Sequence, residues 1–211
     1  MHRLPPLFSV LLALAAPLLR AQQPLVLRSP DGRIEVRVRA GERLSYDVLV
    51  GETVLLRDAT LSLTIDGTTL GAPAKAVQST TRSRDEYLQP VVRQKAAQLR
   101  EHYNELHLDC DGGYAVTFRA YDEGVAWRFE TSLPRAQVTV DSEQALFRFT
   151  QDHTVYYPEE QDFFSHNERH YLPRALGDLG AQDLGSLPAV VDTGSIKVAI
   201  AESDVEDYPG L

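Results

Sequence analysis

A period-two pattern of apolar residues between positions 103 and 130 constrains the fold more than any other feature of this sequence. Two glycine-bearing turns, at residues 111–113 and 122–124, interrupt it. Period-two alternation places one set of side chains on a single face of a pleated strand, and glycine supplies the positive φ that reverses the chain. The pattern predicts a three-stranded antiparallel meander, whose apolar face needs a second layer and so indicates a β-sandwich. The apolar residues of this face are Leu106, Leu108, Cys110, Tyr114, Val116, Phe118, Ala120, Val125, Trp127 and Phe129.

Most of the remaining chain also has the pattern of short strands joined by tight turns. Residues 24–67 alternate in the same way, and the alternation returns over residues 186–200. A chain of 211 residues with 43% hydrophobic residues is long enough to bury a substantial core in one domain. The sequence therefore predicts an all-β fold of antiparallel strands in packed layers.

Two regions are less regular. Further strands are predicted at residues 138–140 and 146–149, with a turn at residues 141–143 between them. Residues 72–100 mix prolines with polar and charged residues. They predict one or two strands around a long exposed loop, with a short helix over residues 91–99 as the alternative.

The charge and the motifs exclude several functional classes. A formal net charge of −9 and a pI near 5.1 give no basic surface for DNA or RNA, because lysines and arginines are scattered among acids. The sequence contains no P-loop, no G-x-S-x-G elbow and no G-x-G-x-x-G opening a helix. No catalytic residue is therefore assigned, and nucleic acid is not an expected partner.

The first 21 residues are typical of a signal peptide. A short basic start is followed by the apolar run of residues 7–19, which is too short to span a bilayer comfortably. Ala21 provides a small residue at the cleavage point, so the mature domain is expected to cover residues 22–211. The protein is predicted to be exported to a periplasm or the cell exterior, without a membrane partner.

Cys110 is the only cysteine, so no intramolecular disulfide can form. Its position on the apolar face of the meander predicts a small buried hydrophobic residue rather than a nucleophile. An exported domain without disulfides must be held together by its hydrophobic core, which a chain of this length permits.

Residues 151–174 combine aromatic side chains with histidines and acids. Aromatic rings can pack on the C–H faces of a sugar while carboxylates accept hydrogen bonds from its hydroxyls, so the segment could bind carbohydrate. The alternative, which we favour slightly on the residues alone, is a loop whose aromatic side chains pin it to the sandwich. The aromatic residues are Tyr156, Tyr157, Phe163, Phe164 and Tyr171.

Two histidines four residues apart, His166 and His170, raise the question of a zinc site. On a helix they would share one face. Glu168 follows the first histidine by two residues, however, so the order H-E-x-x-H of a zinc protease is absent. We therefore favour solvated or hydrogen-bonded loop histidines over zinc ligands.

The C-terminal residues 201–211, AESDVEDYPGL, are rich in carboxylate and hydroxyl oxygens and directly follow an apolar strand. A hard cation such as calcium binds oxygen ligands of this kind. Judged on the residues alone, a solvated acidic turn explains the segment better than a metal site.

Six segments taken together resemble one known family. In chain order they are SPDGRIEVRV, YNELHLDC, VTFRAYDEGVAWRF, SHNERHY, SLPAVV and AESDVEDYPG. Their order resembles the N-terminal domain of glycoside hydrolase family 97, a family of exported α-glucosidases and α-galactosidases. The resemblance covers nearly all of the mature chain, and FRAYDEGVAWRF together with AESDVEDYPG is its most specific part.

The resemblance implies an antiparallel β-super-sandwich like that of galactose mutarotase, which a catalytic (β/α)8 barrel and a small β-domain follow in the family. The catalytic carboxylates lie in that barrel, and it is open whether the sandwich is complete at Leu211. In the family, a glutamate of the N-terminal domain binds a calcium ion beside the catalytic centre. The pattern E-x-D-x-x-x-Y-P-G places Glu202 at the matching position, and Asp204 and Asp207 are weaker candidates.

Two functions are compatible with these observations. The first is the N-terminal domain of an exported, calcium-dependent α-glycosidase that acts on oligosaccharides, supports the catalytic barrel and contributes Glu202 to a calcium site. The second is an autonomous exported β-sandwich that binds carbohydrate without catalysis. Glucoside or galactoside preference, and a retaining or inverting mechanism, depend on barrel residues and are not predicted here.

Overall fold

The computed structural model describes residues 23–92, 95–165 and 168–203, so the expected signal peptide lies outside the described residues. Within these ranges the chain forms fifteen β-strands and one 3-10 turn, and no helix there is long and apolar enough to cross a membrane. The strands are β1 (Leu25–Arg28), β2 (Ile34–Arg39), β3 (Leu44–Val50), β4 (Thr53–Ile65), β5 (Thr68–Leu70), β6 (Ala76–Leu88), β7 (Leu99–Cys110), β8 (Tyr114–Tyr121), β9 (Val125–Thr131), β10 (Val140–Leu146), β11 (Thr154–Glu160), β12 (Tyr171–Ala175), β13 (Leu184–Gly185), β14 (Ala189–Asp192) and β15 (Lys197–Ile200). The 3-10 turn covers Leu176–Asp178.

The strands form three antiparallel sheets. The first sheet has the order β1-β2-β3-β4-β10, with β5 paired to β4. The second sheet is the consecutive meander β6-β7-β8-β9. The third sheet has the order β12-β11-β14-β15, with the short β13 paired to β11. The prediction of an all-β antiparallel fold is confirmed.

The first and second sheets enclose the main hydrophobic core. The apolar face of the predicted meander is buried from Leu106 to Ala120, and the side chains of β9 are partly buried against it. The Phe118 ring lies 5.6 Å from the ring of Tyr46, centroid to centroid, in the middle of this core. Cys110 is buried there, as its position in the sequence predicts. The core residues of the first sheet include Val36, Val38, Leu44, Tyr46, Leu56, Ala59, Leu61 and Leu63.

Two polar contacts also tie these sheets together. The Gly71 amide, next to β5, donates to the Tyr114 hydroxyl at 3.1 Å, and the Asn104 amide group donates to the Arg28 carbonyl at 2.9 Å. Gly71 has a φ of +85°, and a Cβ at this position would lie 2.7 Å from the Leu61 carbonyl oxygen. Only glycine therefore fits this turn without a backbone shift.

The third sheet has a separate and much smaller core. Val155 and Tyr157 of β11 and Val191 of β14 are its buried residues. Partly buried residues from two other segments pack on them. Leu176 begins the 3-10 turn and Leu179 follows it, whereas Val198 and Ile200 belong to β15. One face of this sheet is thus covered by the chain's own residues.

Two expectations are wrong in detail. Residues 141–143 do not form a turn, because β10 runs through them and pairs with β4. Part of the loop predicted at residues 151–174 is the strand β11, which pairs with β12 and β14. In both cases, pairing with another strand overrides a weak local pattern. The prediction of strands around a long exposed loop at residues 72–100 is confirmed by the hairpin of β6 and β7, paired out to Leu88 and Leu99, and the described part of residues 91–99 does not form the alternative helix.

We expect the Phe118→Ala substitution to lower the free energy of unfolding by about 3–5 kcal/mol, because it leaves a cavity in the main core. Phe163→Ala is the matched control, since this ring is 89% exposed and its loss should change stability by less than about 0.5 kcal/mol. Urea unfolding of both variants measures the difference. Equal stabilities would show that the two sheets do not form the main core.

Candidate functional site

The third sheet brings together the segments that the sequence singles out. β11 ends at Glu160, residues 161–170 lead to β12, and residues 201–203 follow β15. β11 and β15 run in the same direction, because each is antiparallel to β14. Glu160 and Glu202 therefore both lie toward the same end of this sheet.

Glu160 is a buried carboxylate at the end of β11, with a side chain that is 3% exposed. Its Oε2 atom accepts a hydrogen bond from Arg169 Nε at 3.1 Å, and its Oε1 atom accepts one from the Ser186 hydroxyl at 3.3 Å. Hydrogen bonding from Ser165, followed by that from Arg169, lowers the pKa of Glu160 although burial opposes the shift. The ionised carboxylate thus ties the loop of residues 161–170 to the sheet.

The approach of β13 to β11 requires glycine at position 185. A Cβ on Gly185 would lie 2.4 Å from the Tyr157 ring, so a larger residue would displace the short strand. Ser186 follows immediately, and its backbone amide donates to the Pro158 carbonyl at 3.2 Å. This close approach places the Ser186 hydroxyl beside Glu160. Neither Gly185 nor Glu160 forms a motif that sequence reasoning could have found.

The aromatic residues of this region fall into two groups. Tyr157 is buried in the small core, which agrees with the packing interpretation. Phe163 and Phe164 are 89% and 98% exposed, and Tyr156 and Tyr171 are 38% and 44% exposed. The Phe164 amide donates to Asp162 Oδ1 at 2.8 Å, which shapes the turn that presents both rings. Carbohydrate binding by the exposed rings remains a prediction.

Glu202 lies two residues beyond the end of β15 and is exposed. Asp204 and Asp207 lie outside the described residues. In the described part of the chain, no three histidine, cysteine, aspartate or glutamate side chains come together as a group that could hold a metal ion. Calcium takes six to eight oxygen ligands, so the described residues do not complete a calcium site. The role of Glu202 as a calcium ligand stays a prediction.

The described residues before His170 do not form the helix that would place the two histidines on one face. His166 lies outside them, whereas residues 168–170 are neither helix nor strand and His170 directly precedes β12. Arg169, between Glu168 and His170, pairs with Glu160 instead. Arg169 thus has a defined structural role within this motif.

A second polar cluster lies on the outer face of the second sheet. Glu105 has a 4% exposed side chain and accepts from Arg82 Nε at 2.6 Å and from Arg119 Nε at 2.8 Å. The Arg119 guanidinium also stacks 4.4 Å from the centre of the Tyr103 ring. The shallow depression beside this cluster, about 390 Å³, also contains His107 and Glu130. Because its charged groups pair with one another, the cluster acts as a structural network.

These features define a class of protein: an all-β sandwich that carries an additional sheet with carboxylates at one end. The sequence model described as "Glycosyl-hydrolase 97 N-terminal" matches residues 27–211. The chain belongs to this family, and it is the N-terminal domain of a family 97 glycoside hydrolase. The family resemblance given by the sequence segments is thereby confirmed.

Individual relatives agree with this assignment. The chain is 36% identical over 215 residues to a retaining alpha-galactosidase of Bacteroides thetaiotaomicron, an alignment that covers 97% of this chain and 32% of the relative. A family 97 enzyme of Pseudoalteromonas sp. strain K8, solved with acarbose, has a TM-score of 0.68 and 18% identity over 79% of this chain and 26% of its own. A beta-arabinopyranosidase structure has a TM-score of 0.70 and 22% identity over 80% of this chain and 30% of its own. The chain thus spans about a third of the length of its relatives.

The buried Glu105 should make stability depend on pH. Burial alone would raise its pKa, but hydrogen bonds from Arg82 and Arg119 outweigh burial and lower the pKa below the ordinary 4.5. Because the pKa is lower in the folded state, this contribution is full above pH 4.5 and is lost as the pH falls through the folded pKa. We expect Glu105→Gln to cost about 2 kcal/mol at pH 7 and progressively less as the pH falls below 4.5.

Urea unfolding at several pH values measures this effect, with Glu86→Gln as the control. Glu86 pairs with Arg84 on the same sheet, but its side chain is 40% exposed. An exposed pair of this kind contributes less than about 1 kcal/mol. A pH-independent loss in Glu105→Gln would contradict the charged role of this carboxylate.

Glu160 should hold the loop of residues 161–170 in place. We expect Glu160→Ala to speed amide hydrogen exchange in this loop by about tenfold or more, because Arg169 and Ser186 lose their shared acceptor. Glu159→Ala is the control. The Glu159 carboxylate is next to Glu160 in the sequence, but it pairs with Arg174 at the surface of the sheet. Mass spectrometry measures the exchange. If the exchange rates of this loop in both variants equalled those of the parent protein, the role of Glu160 would be rejected.

Proposed function

We propose that this chain is the N-terminal domain of an exported, calcium-dependent α-glycosidase that acts on oligosaccharides. The observation that carries the proposal is the family match over residues 27–211 in a chain that spans 32% of a retaining alpha-galactosidase. Cleavage of the glycosidic bond is assigned to the catalytic (β/α)8 barrel expected in the remaining two thirds of such a protein. This domain supports the barrel by packing against it.

The specific contribution of the domain to the active site is the carboxylate of Glu202. Two observations support this role: Glu202 is exposed, and it lies two residues after β15, the last strand of the third sheet. A calcium ion bound there would polarise and orient groups at the scissile bond. Glu202 would supply one oxygen ligand, and the barrel would supply the others that the coordination number requires.

The substrate class of this proposal is taken from the retaining alpha-galactosidase that the chain resembles. At 36% identity, the retaining alpha-galactosidase makes α-galactosides the first substrates to test and a retaining mechanism the first expectation. The structural neighbours lie below 25% identity and support only the fold. The apolar run of residues 7–19 supports export to the periplasm or beyond.

Exposed aromatic rings favour a second candidate function, an autonomous carbohydrate-binding module. Phe163 and Phe164 present nearly complete ring faces to solvent, and such rings stack on sugars. In that case sugar would bind at these rings without any dependence on calcium or Glu202. Calcium dependence therefore separates the two functions.

We expect Glu202→Gln in the complete protein to weaken calcium binding about tenfold or more and to lower turnover at a fixed, subsaturating calcium concentration. A tenfold change corresponds to about 1.4 kcal/mol, which is reasonable for the loss of one charged ligand. Calcium titration of glycosidase activity measures both effects. Glu42→Gln is the control, because Glu42 is exposed in a turn of the first sheet. An unchanged calcium dependence in Glu202→Gln would reject the assignment.

A further inference from the structure

The two faces of the third sheet differ in what covers them. On one face, Val155, Val191 and Val198 are paired across β11, β14 and β15 and lie under Leu176 and Leu179. The other face carries the alternate residues of the same strands. On that second face, Pro158 and Glu160 at the end of β11 are buried, whereas Tyr156, Pro173 and Ala199 are exposed. No described residue of this face belongs to a buried hydrophobic cluster.

The second face carries an apolar row across all four main strands. Tyr156 pairs with Pro173 of β12 and with Val190 of β14, and Val190 pairs with Ala199 of β15. Directly opposed residues of antiparallel strands point to the same side, so these four side chains lie next to one another. Tyr171 adds a second aromatic ring, because it pairs with Pro158 on the same face. We call this surface the Tyr156 face.

The Tyr156 face has the composition of an interface. Tyr156 and Tyr171 are 38% and 44% exposed, and Pro173 and Ala199 are also exposed. At one end the row is bordered by Asp192 and Lys197, which pair with each other through a hydrogen-bonded ion pair. An apolar centre that contains tyrosines and has a polar rim is typical of a protein–protein contact.

We propose that the catalytic part of the same polypeptide docks on the Tyr156 face. This inference rests on the proposed function and adds which surface of the domain is used. β15 contributes Ala199 to the face and is followed directly by residues 201–203. A polypeptide that continues beyond residue 203 therefore leaves from the edge of this sheet, and the relatives have about two thirds of their length outside the match.

The small core of the third sheet also favours docking of the catalytic part on the Tyr156 face. Three buried residues form the core of the third sheet, whereas the main core has more than twenty. A small sheet whose second face is covered at only one end, at Pro158 and Glu160, gains little stability alone, and cover over the rest of that face would supply what it lacks. A continuous polypeptide provides that cover at high effective concentration without needing a separate partner.

Hydroxyl-radical footprinting of the complete protein tests the proposal, in dilute solution and without sugar. We expect Tyr156 and Tyr171 to react at less than a tenth of the rate of free tyrosine amide. Tyr87 is the reference within the protein, because it is 65% exposed and lies on β6, which belongs to the second sheet. Reaction of Tyr156 and Tyr171 at rates near that of free tyrosine would overturn the proposal.

Two other occupants would also overturn it. Protection that appears only when an α-galactoside or α-glucoside oligosaccharide is added would make the face a sugar platform, and protection that disappears on dilution would indicate a second copy of the chain. As an independent measurement, Tyr156→Arg should lower the melting temperature of the complete protein by several degrees, whereas Tyr87→Arg should not. Protection of the face together with an unchanged calcium dependence in Glu202→Gln would retain the docking surface and reject the calcium role.

Discussion

The packing of the second sheet against the first is the contact on which the rest of this domain depends. Phe118 and Leu108 are completely buried between the sheets, and each has its neighbours in strands distant in sequence. The one cysteine is buried and unpaired, so no covalent link supplements this contact. Apolar burial, at roughly 25 cal/mol per Å², is therefore the main term that holds the sandwich together. The third sheet is an addition to this base and has only a small core of its own.

The two-sheet sandwich could be predicted from the sequence because short local patterns of residues mark its strands and turns. In β7 and β8, the large apolar side chains of the core recur at every second position, and the turn at residues 111–113 supplies two glycines with φ values of +100° and +77°. Register, burial and strand direction all follow from that pattern. The same logic gives β2 and β3, where Val36 and Tyr46 occupy the buried positions.

The alternation over residues 186–200 also predicts β14 and β15, but β10 of the first sheet, β11 of the third sheet and the site at the end of β11 could not be predicted in this way. β10 has the sequence VDSEQAL and forms a strand because β4 offers it an edge, not because its own residues alternate. β11 contains Pro158 and two glutamates, a composition typical of a loop. Glu160 has a defined role because Arg169 and Ser186 approach it from segments that only the folded chain brings together. A single glutamate in the sequence contains no sign of such partners.

The small core of the third sheet also affects Glu202. A metal ligand works only when its position is held to within about half an ångström by the residues around it. Glu202 follows β15, whose partner β14 is joined to the rest of the sheet through Val155, Val190 and Val191. A sheet with so small a core gives limited rigidity until both of its faces are covered. If the catalytic part docks on the Tyr156 face, the same contact that stabilises the sheet would also fix the position of Glu202, so calcium affinity and domain docking would depend on each other.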